Sequence, residues 1–68
     1  MDILKVFGNR IRELRLEKGW SQEKLSFEAD LHRTYIGAIE RGEKNIALKN
    51  INKLADTFQI PLSQLFDL

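Results

Sequence analysis

Between Ser21 and Gly42, in the stretch SQEKLSFEADLHRTYIGAIERG, two helix-forming runs are separated only by Ala29-Asp30-Leu31. A break this short makes the two runs one unit, a helix, a tight turn and a second helix. Asp30 occupies the break, and Asp is among the few non-glycine residues that tolerate a left-handed backbone. The second run is led by a polar string, His32-Arg33-Thr34-Tyr35.

The rest of the chain has to pack around that unit. Leu4, Phe7, Ile11 and Leu14 recur at helical spacing, and Gly19 follows basic Lys18 where a helix would stop, so the first helix is expected from about Ile3 to Lys18. Ser21 is a good N-cap with Glu23 in the first turn, and Leu25 with Ala29 gives the second helix, about 21–28, its inward face. The third helix is expected over about 33–41, with Ile36 and Ile39 inward, Leu31 closing the turn and Gly42 as its stop. The spacing of Leu48, Ile51, Leu54, Ala55 and Phe58 predicts a fourth amphipathic helix over about 48–58. Pro61 suits the first turn of a last short helix, Leu62 to Phe66. The expected fold class is all-α: five helices in a single domain over 1–68, with no strand, repeat or linker.

Composition narrows the function classes. Sixty-eight residues cannot hold two hydrophobic cores, and the chain has no cysteine, so neither disulfides nor a thiolate zinc site can supplement packing. His32 is the single histidine, so no metal and no cofactor is expected. Ser21 and Ser63 have no His-Asp context, and Glu13 with Glu17 lies at i, i+4 on a helix surface, so no enzyme is expected. No apolar run approaches membrane-spanning length, and the first residues lack the pattern of a secretory signal, so a cytoplasmic location is expected without membrane contact. Eleven Lys+Arg against ten Asp+Glu give a net charge of +1, so the distribution of charge has to carry the argument.

A helix with a polar leading edge, set off by a tight turn, is the arrangement that lets a helix enter the major groove of DNA. Base edges are reached from its first turns, here Arg33, Thr34 and Tyr35. Arg can donate two parallel hydrogen bonds to guanine, Thr can hydrogen-bond or set its methyl on thymine, and Tyr offers a hydroxyl and a flat face. Ala38, one turn after Thr34, is expected to keep the approach close. Trp20 reads as a packing residue, and Arg10 and Arg12 as solvated.

At this point the stretch IRELRLEKGWSQEKLSFEADLHRTYIGAIERGEKN resembles the helix-turn-helix of the phage repressor and Cro-type (XRE-like) family. Through RLEKG, SQE, the RTYI string and IERG it is especially similar to the small controller proteins of restriction-modification systems. The resemblance implies a five-helix, lambda-repressor-like DNA-binding domain that works as a homodimeric transcription regulator on a pseudo-palindromic operator, as activator or repressor, with RNA polymerase as a further partner. It implies base reading by Arg33 and Thr34 with Tyr35 and Ala38 flanking, and phosphate contact by Ser21, Gln22, Arg41, Lys44 and Asn45. It also implies a structural salt bridge between Arg15 and Glu40. Asp30 stands where the family's turn usually has Gly, and Ser26 where its second helix usually has Ala. His32 and Ala47 stand where it usually has better caps, and imidazole is expected to cap poorly.

The tail IPLSQLFDL carries more apolar surface than a small monomer needs. Ile60 and Leu65 are assigned to the core. Leu62, Phe66 and Leu68, with Asn50 and Lys53 of the fourth helix, are assigned to a two-fold dimer interface, so that helices over about 48–68 contribute to dimerisation. The alternative reading is an antitoxin or protein-interaction module on the same fold, favoured by the near-neutral charge.

Overall fold

The computed structural model describes all residues, 1–68, as five helices without a strand. They are α1 (Ile3–Glu17), α2 (Gln22–Ala29), α3 (Arg33–Glu40), α4 (Leu48–Phe58) and α5 (Leu62–Leu65). Each bound lies within a residue of its expectation. Every helix contributes to one core: Phe7, Ile11 and Leu14 from α1, Leu25 and Ala29 from α2, Ile36 and Ile39 from α3, Leu54, Ala55 and Phe58 from α4, and Leu65 from α5. Trp20 stacks on Phe58 with ring centroids 6.1 Å apart, and it covers the core as the packing reading requires. Leu48 departs from expectation: as the first residue of α4 it lies at the edge and is 70% exposed, leaving the inward face to Leu54, Ala55 and Phe58.

The first four helices end in one way. After each, a residue with a left-handed backbone reverses the chain: Gly19 (φ 72), Asp30 (φ 55), Gly42 (φ 75) and Gln59 (φ 58). The following residue then donates its N–H to a carbonyl five positions back: Trp20 to Arg15, Leu31 to Ser26, Glu43 to Ala38 and Ile60 to Ala55, at 2.9–3.1 Å. These bonds satisfy carbonyls that a helix end leaves orphaned. In three of the four closures the donor is apolar, Trp20, Leu31 and Ile60, and packs on the core. The same device therefore ends a helix and turns the chain inward.

α1 and α3 cross at Gly8. A side chain there would collide with the backbone carbonyl oxygen of Ile39 and lie 3.0 Å from that of Glu40. Only glycine permits this approach, which seats the end of α3 directly on the first helix.

Arg10, expected to be solvated, is instead half-buried, and its Nη2 donates to the Gln64 carbonyl at 2.9 Å. A guanidinium there serves the last turn of α5, whose carbonyls have no helical partner. Phe66 is drawn in beside it, its ring 5.4 Å from that of Phe7.

The left-handed Gln59 carries a steric cost that glycine lacks, and its side chain makes no hydrogen bond to offset it. Gln59→Gly is therefore expected to stabilise the domain by about 0.5–1 kcal/mol, after the entropy of glycine is discounted. Urea denaturation checks this as a raised midpoint with an unchanged slope.

Candidate nucleic-acid interface

The turn between α2 and α3 is Asp30-Leu31-His32. Ser21 caps α2, its Oγ accepting from the Lys24 N–H at 3.0 Å. Its hydroxyl, assigned to phosphate contact, is thus engaged as a cap. His32 caps α3 through its ring, Nδ1 accepting from the Thr34 N–H at 3.0 Å. This corrects the expectation of a poor cap. A neutral imidazole has one nitrogen lone pair, and here it serves the N–H that fixes the first turn of α3.

Behind the two helices lies a charged cluster. The Arg15 guanidinium donates from Nε to Glu40 Oε2 at 2.7 Å and from Nη2 to Glu40 Oε1 at 3.0 Å. Its Nη1 donates to the Trp20 carbonyl at 2.8 Å. Gln22 adds a third bond to the carboxylate, Nε2 to Oε1 at 3.1 Å. Arg15 is 8% exposed and the Glu40 side chain 3%. Hydrogen bonding to Glu40 holds the Arg15 pKa above its ordinary value against the opposing pull of burial. The cluster ties α1, the start of α2 and the end of α3 at one point. Gln22 is a brace here, with one face on Glu40 and its Oε1 turned toward Gly37.

In front of that cluster Gln22, Arg33, Thr34, Gly37 and Arg41 line an open, wholly polar cleft. Arg33 and Thr34 are exposed on its rim, and Arg33 Nη1 stands 3.8 Å from Glu23 Oε2, a loose surface pair. Ala38, expected to keep the groove approach close, is only 8% exposed and packs inward. Gly37 beside it, also buried, lines the floor of the cleft. Sequence reasoning missed it because a glycine in the middle of a helix gives no sign of what its bare surface faces.

Other assigned residues are dispersed. Tyr35 is half-buried, leans on the core, and its hydroxyl oxygen accepts from Asn50 Nδ2 at 3.2 Å. Tyr35, expected to flank the base readers, is thus turned toward α4, and the Asn50 amide, assigned to a dimer seam, makes its bond within the chain. Lys44 is exposed beside Arg41 and Glu43, whereas Asn45 lies in a separate groove with Ile3, Leu4, Phe7, Ile46, Ile51 and Phe66. Lys53 is half-buried, and Leu62, Phe66 and Leu68 are 37%, 44% and 52% exposed.

A helix-turn-helix with a braced second helix and a polar cleft at its leading edge defines the class. The family model described as "Helix-turn-helix" matches residues 11–65, and the chain belongs to that family. Within it the chain is similar to control protein C.BamHI of Bacillus amyloliquefaciens, 48% identical over 97% of this chain and 83% of that one. The restriction-modification controller protein C.AhdI from Aeromonas hydrophila superposes with a TM-score of 0.92, at 48% identity over 97% of this chain and 100% of that one. The controller C.Esp1396I, solved as a tetramer in complex with its natural 35-base-pair operator, superposes with a TM-score of 0.85 at 33% identity over 94% of this chain and 84% of that one.

Two outcomes follow from the charges. Removing one member of a buried, hydrogen-bonded ion pair strands the other, so Glu40→Ala is expected to cost about 3–5 kcal/mol in urea denaturation. At the surface the Arg41 hydrogen bond holds the Glu43 carboxyl below its ordinary pKa. The pair's contribution is therefore complete above the unfolded carboxylate range and is lost only as pH falls through the lower folded value. Carboxyl-detected NMR titration should show Glu43 protonating below the ordinary range, and returning to it in Arg41→Gln.

Proposed function

We propose that the chain is a sequence-specific DNA-binding transcription regulator of the restriction-modification controller type, acting as a homodimer on a pseudo-palindromic operator. The observation that carries this reading is the cleft at the leading edge of α3, where Arg33 and Thr34 stand exposed on a helix positioned from behind by Arg15, Gln22 and Glu40. Arg33 donates to guanine, Thr34 reads the neighbouring base pair, and Arg41 and Lys44 meet the phosphates. The related C.Esp1396I, a tetramer on its natural operator, lends support to both the DNA target and self-association.

A homodimer answers a limit of size, because one short helix reads few base pairs whereas two half-sites a DNA turn apart multiply the selectivity. The exposed apolar residues of the C-terminal segment, Leu62, Phe66 and Leu68, supply the seam. Bound beside a promoter the dimer recruits RNA polymerase, and bound across it the dimer blocks it. This reading assigns the regulator to the cytoplasm, where its operator lies; no helix is long and apolar enough to cross a membrane.

Selection from random duplex DNA is expected to enrich a two-fold symmetric motif, and the reading fails if none emerges. On the enriched site, Arg33→Ala should weaken binding by about 1–3 kcal/mol and relax preference at a single base pair in each half-site. Sedimentation of the free protein should show a concentration-dependent dimer that Leu62→Glu shifts to monomer with its helicity intact.

A further inference from the structure

Arg41 is the one cation of the cleft already engaged by an anion of its own chain at hydrogen-bond distance. Gly42, left-handed, turns the chain back, and the Glu43 N–H donates to the Ala38 carbonyl at 2.9 Å. This fixes Glu43 over the end of α3, where its Oε2 accepts from Arg41 Nε at 3.0 Å. The guanidinium lies across the bare floor of the cleft, Nη1 only 3.0 Å from where a Gly37 side chain would begin. Gln22 Oε1 stands 3.4 Å from the same point. Both members of the pair are 58% exposed, so the bond is open to solvent and to a competing anion.

We propose that Glu43 is an internal competitor for the DNA phosphate at Arg41, holding that arginine in reserve across Gly37 until the backbone of a bound duplex displaces the carboxylate. This inference rests on the DNA-binding reading above. Carboxylate and phosphate compete for the same donors of a guanidinium, and with Nε bonded to Glu43 the Nε–Nη2 edge cannot give a phosphate its two-pronged grip until the carboxylate leaves. Glu43 therefore lowers the affinity for any duplex that engages Arg41. Because a phosphate contact carries no sequence information, the loss falls about equally on every duplex that engages Arg41, while base reading by Arg33 and Thr34 is untouched. Glu43 is in this sense an affinity-setting residue that touches no base.

The test is a double-mutant cycle at positions 41 and 43, read by fluorescence anisotropy on a mixed-sequence duplex at low salt and on the selected duplex. Glu43→Gln should tighten binding when Arg41 is present by about two- to fivefold more than it does in Arg41→Gln, the range spanned by exposed ion pairs. Equal gains in the two backgrounds would reduce Glu43 to simple charge repulsion and overturn the proposal, as would no gain at all. Failure of the wild type to bind either duplex would instead sink the DNA-binding reading, and the competitor with it. A second readout does not depend on the binding of the variants. The Arg41 Nε–H resonance of the free protein should move on Glu43→Gln, and in the wild type it should move on adding duplex, since both release the same bond; a resonance that stays put in either case overturns the proposal. Both side chains are exposed and such a pair contributes little to stability, so the variants should remain folded at the temperature of the binding measurements, as thermal unfolding checks.

Discussion

The carboxylate of Glu40 is the point on which the geometry of the domain depends. It accepts from Arg15 twice and from Gln22 once, so three helices meet through one fully engaged side chain. Such a pair gives little net stability, since removing two charges from water costs about as much as their attraction returns. Its contribution is register. Apolar contacts among Ile11, Leu25, Ile36 and Ile39 are non-directional and would tolerate a small rotation of α3. A guanidinium fork against a carboxylate tolerates far less, and the exposed Arg33 and Thr34 inherit that precision.

The surface on the other side is built with opposite logic. Behind α3 all three guanidinium nitrogens of Arg15 and both carboxylate oxygens of Glu40 are hydrogen-bonded within the chain, whereas in front Arg33 and Thr34 stand on the rim with only a loose ion pair between Arg33 and Glu23. The front is solvated and adaptable, and the back is dry and directional. Interfaces that must meet a flexible polymer of phosphates use this division, because a long charged side chain adjusts cheaply only if the backbone that carries it does not.

The helices and their order were legible because apolar spacing, caps and stops agreed along most of the chain, from Leu4 to Leu14 and again from Leu48 to Phe58. The left-handed Asp30 was legible from the chemistry of its side chain. Gln59 was not, since nothing in glutamine favours that conformation and only the packing of Ile60 demands it. At the site, Arg33 and Thr34 could be placed on the leading edge from spacing alone. Gly37 on the cleft floor, the Tyr35 to Asn50 bond and the placing of Asn45 in another groove could not. Spacing tells which residues share a face, but which neighbour covers that face is decided by helix crossings that a linear pattern does not encode. His32 was not legible as a cap for a different reason: capping preferences describe averages, and here one ring nitrogen is placed to accept from the Thr34 N–H.

Gly8 shows how far that dependence reaches. It lies on α1, which contributes no residue to the cleft, yet its missing side chain is what lets α1 touch the backbone that ends α3. Any side chain there has to displace the backbone that ends α3, while leaving every cleft residue chemically unchanged. A genetic screen for variants that fold but lose function should therefore return changes at a position that lines no part of the cleft, on a helix that contributes nothing to it.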